Sequence, residues 1–353
     1  MKVLVTGAGG LIGSEASRFY LEKEARVIGI DNNMRRYFFG EGGDTSGNIS
    51  FLEGLGKGFK NIPIDIRDRQ AVLDVYEKEG PFDLVVHTAA QPSHDWAKKE
   101  PFTDFDINAV GTINLLEGFR LYSGEGVFVF TSTNKVYGDA PNRVNLDEGE
   151  KRYEYSAEQV MPGVSTEGIS ENMTIDESTH SLFGASKTAA DVTAQEYGRY
   201  FGLKVGVFRG GCLTGPQHSA VELHGYLTYI IDCALSGRPY TVFGYKGKQV
   251  RDQIHSRDVV SAMDEFYKAP SQGAVYNLGG CRENALSILE TIDILKEDFG
   301  LELKYTYDEK NRVGDHICYY SDMTKFKRDY PGWRIKMRVH DIIDEIVSSH
   351  QKT

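Results

Sequence analysis

The chain has 353 residues with a formal net charge of −11. This acidic balance argues against nucleic acid as a partner, although local cations can still bind an anionic small molecule. No apolar run reaches the roughly 20 residues that span a bilayer, and the first residues lack a secretion signal, so we expect a cytoplasmic protein with no membrane partner. Four widely spaced cysteines without zinc-type spacing indicate reduced thiols and no metal site.

The first predicted elements are a strand, KVLVT, the glycine-rich stretch GAGGLIG, and a helix with apolar residues at helical spacing. Gly7, Gly10 and Gly13 allow a tight turn, close approach of a pyrophosphate, and close packing of the helix on the strand. The helix begins near Leu11 and Ile12, where free N–H groups and the positive end of the helix dipole favour phosphate. The pattern therefore predicts a dinucleotide-binding turn.

The second predicted strand, RVIGID, ends in Asp31 and is followed by Asn32. A carboxylate at this position accepts hydrogen bonds from the adenosine ribose and repels a 2′-phosphate, so we expect NAD rather than NADP as the cofactor. Arg35 and Arg36 follow closely and could weaken this preference.

The strands that follow carry further candidates for cofactor contacts. IPIDIRD predicts a third strand that ends in Asp65 and Ile66, an acid and an apolar side chain suited to adenine. DLVVH predicts a fourth strand before the small residues Ala89 and Ala90, and the helix after it carries Asn108. The alternation of strands and helices predicts an α/β fold, a Rossmann-type doubly wound parallel sheet.

Motifs along nearly the whole chain resemble those of the extended short-chain dehydrogenase/reductase family, in its sugar-nucleotide epimerase and dehydratase branch. The stretches that carry the resemblance, in family order, are TGAGGLIG, DNN, DIRD, HTAAQ, TSTNKVYGD, FGASK, VRDQIHSRDV, YNLGG and RVGD. Within that branch, STNKVYGD resembles the epimerases that invert C2 of a CDP-hexose.

The resemblance implies an NAD-binding domain over 1–212, to which 242–275 returns, and a smaller C-terminal α/β domain, 213–353, that binds the nucleotide sugar. It implies NAD as cofactor, a nucleotide-sugar substrate, and a homodimer. The dimer face would be formed by the helices that contain GTINLLEGFR and SKTAADVTAQEYGRY.

The resemblance also assigns a reacting centre. Thr133 takes the position of the Ser/Thr that orients the substrate oxygen, and Lys187 that of the lysine that holds the nicotinamide ribose. The family's proton-accepting tyrosine is replaced by Phe183. Three interpretations stay open: Phe183 is an engineered substitution, the protein uses another proton acceptor, or it binds a nucleotide sugar without chemistry.

Several residues could replace the missing hydroxyl. His94 and Asp95 follow HTAAQ in a loop that lies over the sugar in this family, and His180, Tyr137 and Cys212 lie near other family motifs. An imidazole with a pKa near neutrality suits proton transfer at physiological pH, so His94 is the favoured candidate.

The resemblance places a further set of side chains against the sugar, the diphosphate and the nucleoside. The set is Gln91, Thr133, Asn134, Arg209, Gln217, Arg251, Arg312 and Asp315. Arginine can bind phosphate oxygens bidentately, and Asp315 suits ribose hydroxyls. Asn134 and Lys135 stand where a dehydratase carries an Asp-Glu pair, which favours an epimerase.

The stretch from Gly138 to His180 is long, polar and rich in acids. Long connections beside active residues often serve as lids, so we expect this segment to cover the sugar.

Overall fold

The chain divides into two compact units in a computed structural model that describes residues 1–217, 225–311 and 314–350. Unit 1 comprises 1–136, 182–209 and 259–276, and unit 2 comprises 137–181, 210–258 and the chain from 277 onward. This differs from the predicted division, because 137–181 and 242–258 belong to unit 2. Residues 137–181 join unit 2 through long-range contacts, such as the hydrogen bond from Tyr155 Oη to the Cys318 carbonyl (2.8 Å).

Regular elements cover most of the described residues. The elements up to residue 210 are β1 (Lys2–Thr6), α1 (Leu11–Glu22), β2 (Arg26–Ile30), α2 (Met34–Phe39), α3 (Ser46–Gly54), β3 (Phe59–Ile62), α4 (Arg69–Glu79), β4 (Leu84–His87), α5 (His94–Lys99), α6 (Pro101–Phe105), α7 (Gly111–Tyr122), β5 (Val127–Thr133), β6 (Leu146–Glu148), β7 (Tyr153–Tyr155), β8 (Val164–Ser165), β9 (Gly168–Ile169), α8 (Ser181–Phe201) and β10 (Lys204–Gly210). Those beyond it are β11 (Cys212–Thr214), α9 (Tyr226–Ser236), β12 (Tyr240–Phe243), β13 (Val250–His255), α10 (Ser256–Lys268), β14 (Ala274–Leu278), β15 (Ala285–Ser287), α11 (Ile288–Glu297), β16 (Tyr305–Asp308), β17 (Cys318–Tyr319), α12 (Thr324–Asp329) and α13 (Val339–His350). Within this described part of the chain, no helix has both the length and the apolar character that a membrane span requires.

A seven-stranded sheet organises unit 1, with the strand order β14-β10-β5-β4-β1-β2-β3. The pairings of β1 with β2 and β4, of β2 with β3, and of β4 with β5 are parallel. The order reverses between β1 and β4, and ligands of doubly wound sheets bind at the carboxyl ends of the strands beside such a reversal. This confirms the predicted Rossmann-type doubly wound sheet.

The core of unit 1 forms because its strands are apolar on both faces, as expected when helices cover both sides of a parallel sheet. Val3, Leu4 and Val5 of β1 are all fully buried. Helices α4 and α7 pack against this sheet through residues such as Val72 and Leu115.

Unit 2 contains a small mixed sheet in which β13 pairs with β11 and β17 in parallel and with β15 in antiparallel orientation. A separate parallel pair is formed by β12 and β16. Helices α9, α11 and α13 bury Ile230, Leu295 and Ile343 in a second core, so this unit has the α/β character predicted for the smaller domain.

Candidate active site

The turn between β1 and α1 forms a glycine cradle. Gly7 has a left-handed φ of +68°, and a Cβ added there would lie 2.8 Å from the Ala89 nitrogen. A Cβ at Gly13 would lie 2.0 Å from the Gly7 carbonyl oxygen, so only glycine lets the helix approach the strand this closely. The first-turn N–H groups, at Leu11 and Ile12, are those that no carbonyl of the helix can satisfy. The cradle therefore fits a pyrophosphate.

Asp31 follows β2 and braces this cradle. Its Oδ2 accepts a hydrogen bond from Gly9 N (2.8 Å), and its Oδ1 accepts one from Asn33 N (2.7 Å). Burial raises the pKa of Asp31, while these hydrogen bonds oppose the shift. Asn32 is exposed and accepts from Met34 N. The carboxylate thus lies beside the glycine turn, and its contact with the adenosine ribose remains a prediction.

Asp65 and Ile66 lie beyond the third strand, because β3 ends at Ile62. Asp65 pairs with Arg67 at 2.7 Å. Burial raises the pKa of Asp65, but the hydrogen bonds and charge of Arg67 outweigh this effect and leave it lowered. Ile66 is buried against α7, where a Cβ added at Gly111 would lie 2.6 Å from it. Their contact with adenine remains a prediction.

The segment after β4 carries Ala89, Ala90 and Gln91. Ala89 N donates to Thr6 Oγ1 (3.3 Å), which holds the two half-buried alanines beside the glycine cradle. Gln91 is buried, and its side-chain amide bonds to Ser93 and Asp104 within unit 1. The contact of Gln91 with substrate remains a prediction, while the contacts that the structure shows lie within the protein.

Asn108 lies in a π-helical turn between α6 and α7, residues 106–110. π-Helical turns are rare in proteins, and those that occur often lie at functional sites. The side chain is buried, accepts from Gln91 N (2.9 Å) and donates to Ser186 Oγ (3.0 Å). It therefore joins the loop after β4 to helix α8.

Helix α8 presents Phe183, Lys187 and Asp191 at intervals of four residues, so they share one face. Lys187 is 4% exposed, its Nζ donates to the Thr131 carbonyl (2.9 Å), and it lies 4.3 Å from the centre of the Phe130 ring. Burial lowers the pKa of Lys187 to about 8, although the carboxylates of Asp191 and Asp104 oppose the shift. Lys187 therefore loses its proton at a lower pH than an exposed lysine does, but it remains mainly an ammonium near pH 7.

Thr133 ends β5. Its Oγ1 accepts from Lys135 N (3.2 Å) and contacts Asn134 Oδ1 (3.4 Å). Thr133 is half-buried and Asn134 is buried. Unit 1 thus contains both Thr133 and Lys187, the two polar members of the predicted reacting centre.

Phe183 is buried and contributes no hydroxyl, but its ring meets an imidazole. The rings of His94 and Phe183 lie edge to face with centroids 5.1 Å apart. Tyr137 is fully buried in unit 2, where its hydroxyl donates to Asn277 Oδ1 (2.7 Å). The structure thus brings His94, one of the predicted replacement groups, against Phe183.

Arg209 forms a buried, bidentate pair with Asp191, with Nε and Nη2 at 3.0 and 2.9 Å from its two oxygens. Ser132 donates to the same carboxylate at 2.6 Å. The guanidinium therefore supports the face of α8 that carries Lys187, and its contact with substrate remains a prediction. Asp191 was not predicted as a site residue, although its spacing of four from Lys187 is a visible signal.

The predicted phosphate and ribose residues lie in unit 2. Arg251 is 8% exposed, and its Nη2 lies 2.6 Å from Asp315 Oδ1. Burial lowers the pKa of Arg251, but the charge of Asp315 opposes this effect and leaves it raised. Gln217 is exposed, and Arg312 lies outside the described residues. Arg251 is the deeply buried member of this pair, with 9% of its side chain exposed against 29% for Asp315. Its contact with a diphosphate remains a prediction.

The long segment 138–180 is anchored within unit 2. Its two short hairpins, β6–β7 and β8–β9, are held by contacts such as Ile169 N to the Tyr320 carbonyl (2.9 Å) and Asn277 N to Glu171 Oε1 (2.6 Å). Tyr155, Ile169 and Met173 are buried. These contacts indicate that the segment is held in place within unit 2, whereas the sequence predicted a lid over the sugar.

The fold and the glycine cradle together define a dinucleotide-binding α/β protein. Residues 3–279 match the NAD dependent epimerase/dehydratase family. The chain belongs to this family, and NAD is its cofactor.

Relatives match over almost the whole chain. CDP-paratose 2-epimerase from Salmonella typhi is 31% identical, with 98% of each chain covered. A putative UDP-glucose 4-epimerase from Methanocaldococcus jannaschii is 27% identical, with 98% of this chain and 97% of the relative covered. The structure of Thermus thermophilus UDP-glucose 4-epimerase in complex with NAD aligns with a TM-score of 0.77, 26% identity, and 99% of both chains covered. These similarities confirm the family predicted from the motifs.

Proposed function

We propose that this protein epimerises a nucleotide-linked hexose, at C2 of a CDP-hexose, through a transient keto sugar. The observation that carries the proposal is the similarity to CDP-paratose 2-epimerase, which covers 98% of both chains. Asn134 and Lys135 favour an epimerase over a dehydratase, because a dehydratase needs an acid pair at these positions.

The cradle residues would hold NAD, which supplies a hydride acceptor and donor when bound. In this proposal Gly7, Gly10 and the α1 N-terminus bind the pyrophosphate and Asp31 the adenosine ribose, while Lys187 binds the nicotinamide ribose. The other proposed cofactor contacts are Leu11, Ile12, Asn32, Asp65, Ile66, Ala89, Ala90 and Asn108.

Thr133 would orient the sugar hydroxyl, and His94 would accept its proton in place of a tyrosine. Two observations support His94: its ring contacts Phe183, and neutral imidazole is a competent base near pH 7. Buried Lys187 would hold the sugar oxygen and cofactor ribose in register through its ammonium. In unit 2, Arg251 and Asp315 would bind the diphosphate and the nucleoside ribose.

We also propose a homodimer formed through α7 and α8. Large apolar side chains are exposed on these helices, among them Leu121 (52%), Val192 (41%) and Tyr200 (79%). Exposed apolar side chains that cluster on a surface mark interaction sites, and a second copy would cover those of α7 and α8.

The test is turnover of a panel of CDP-, UDP-, GDP- and dTDP-hexoses with NAD, with products resolved by NMR. We expect an epimer from a CDP-hexose. His94→Gln should lower kcat by about 10²–10⁴-fold, the range for loss of a general base. His180→Gln is the matched control, because His180 belongs to unit 2 and is not the proposed base.

A product that lacks a water molecule would support a dehydratase instead. Tight binding of the nucleotide sugar with no product would support a non-catalytic binder, the second candidate that Phe183 raises. Full turnover in His94→Gln would exclude His94 as the proton acceptor.

A further inference from the structure

We propose that Asp104 is a positioning residue that, through Gln91, fixes His94 against Phe183. The inference rests on the proposed function for its catalytic consequence, since it takes His94 as the proton acceptor. Its structural content, the orientation of the imidazole, is independent of that function.

The first link runs from Asp104 to the loop that carries His94. Asp104 Oδ1 accepts from Gln91 Nε2 at 2.7 Å. The same amide donates to the Ser93 carbonyl (2.8 Å) and accepts from Ser93 N (2.5 Å), so it bonds both backbone polar groups of Ser93. Ser93 in turn caps α5, whose first residue is His94, by accepting from Trp96 N (3.3 Å).

The second link runs from Asp104 to the helix that carries Phe183. Asn108 Nδ2 lies 3.1 Å from Asp104 Oδ1, 3.0 Å from the Gln91 carbonyl and 3.0 Å from Ser186 Oγ. Ser186 donates to the Phe183 carbonyl at 3.0 Å. The carboxylate therefore stands where the two connections meet, one toward His94 and one toward Phe183.

The side chains of this cluster are buried, so the loss of one of their hydrogen bonds is not compensated by water. Asp104, Gln91 and Asn108 are each 1% exposed, and Ser186 is fully buried. Burial raises the pKa of Asp104, while hydrogen bonds from Ser186 and Gln91 and the charge of Lys187 oppose the shift. Removal of Asp104 takes away one of the two acceptors of Gln91 Nε2 and leaves a buried N–H without its partner. Such a loss is costly, so Gln91 and the loop bonded to it should shift.

The consequence for the site is geometric. The rings of His94 and Phe183 form an edge-to-face pair with centroids 5.1 Å apart, and such pairs contribute about 0.5–1.5 kcal/mol. The bonds of Gln91 to Ser93 restrain the backbone from which His94 projects. Asp104 therefore acts on the proton acceptor through the loop, without touching the substrate.

The experiment compares Asp104→Ala and Asp104→Asn with the wild-type protein in two measurements. The first is the NMR signal of the His94 imidazole, assigned with His94→Gln and calibrated by the loss of the Phe183 ring current in Phe183→Leu. The second is steady-state kinetics on the CDP-hexose. Asparagine retains the Oδ1 acceptor, so it is the conservative rescue variant.

We expect Asp104→Ala to move the His94 signal toward its position in Phe183→Leu and to lower kcat by about 10–100-fold with little change in KM, the effect of a displacement near 1 Å. Asp104→Asn should leave the signal in place and keep kcat within about fivefold. Should Asp104→Ala fail to fold, Gln91→Leu removes the same link from the other side.

An unmoved His94 signal in Asp104→Ala or Gln91→Leu overturns the proposal. A rise in KM without a fall in kcat in Gln91→Leu also overturns it, because that result identifies Gln91 as a substrate contact. If the wild-type protein epimerises no nucleotide sugar, the proposed function fails, and the NMR comparison still decides whether Asp104 positions His94.

Discussion

Buried Lys187 predicts a pH dependence of folding stability that Lys187→Met should remove. Burial lowers the pKa of this lysine from an ordinary value of 10.5 to about 8. The shift is about 2.5 pH units, and each unit corresponds to about 1.4 kcal/mol, so the full effect is about 3 kcal/mol. The side chain is only 4% exposed, which makes solvent screening small.

The sign follows from proton uptake. Between the folded pKa and the unfolded pKa, the unfolded chain binds the proton and the folded chain does not, so stability rises with pH. From pH 7 to 9.5 the wild-type protein should gain about 2 kcal/mol that Lys187→Met does not gain.

Urea unfolding at these two pH values, followed by tryptophan fluorescence, measures the free energy of unfolding of each protein. Lys57→Met is the control, because Lys57 is exposed. We subtract the free energy of unfolding of Lys187→Met from that of the wild type at each pH. This difference should change by about 2 kcal/mol between the two pH values, while Lys57→Met should follow the wild type. If the difference in the free energy of unfolding is the same at both pH values, burial does not lower the pKa of Lys187 as we expect.

Two further changes test the cradle and the dimer. Gly13→Ala should abolish NAD binding in calorimetry, because the added Cβ would lie 2.0 Å from the Gly7 carbonyl oxygen; retained affinity would contradict the cradle. Tyr200→Asp should shift sedimentation from dimer to monomer, because it places a charge on the exposed apolar face of α8; a wild-type protein that already sediments as a monomer would rule out the proposed dimer.

Features set by local spacing could be predicted from the sequence. The glycine pattern around Gly7 and Gly13 and the carboxylate of Asp31 follow from strand, turn and helix signals within a few residues of each other. The alternation of strands and helices was enough to predict the doubly wound sheet, because such alternation has few compact solutions.

Features set by long-range partners could not be predicted. Arg209 was predicted at the sugar, but the sequence does not reveal that Asp191 lies across from it. Gln91 was predicted to face the substrate, and its bond to Asp104 depends on the packing of α6. A polar side chain chooses its partner from what the tertiary fold brings near, and the pattern of one sequence does not contain that choice.

The structure of the segment 138–180 also depends on long-range partners and could not be predicted from the sequence. Its length and acidity suggested a lid, because long polar connections are often exposed. The anchoring residues Tyr155 and Ile169 are single apolar residues in a polar stretch. They bond to Cys318 and Tyr320, which come much later in the chain. Such isolated contacts carry no periodicity that could be recognised beforehand.

In the proposed epimerisation the sugar is oxidised and reduced at the same carbon within this site. The most direct measurement uses a CDP-hexose with deuterium at C2, incubated with the protein and NAD. We expect an inverted product that keeps the deuterium at C2, because the hydride that leaves this carbon returns to it. Loss of the label to solvent, or an unchanged sugar in the presence of bound NAD, would contradict the claim.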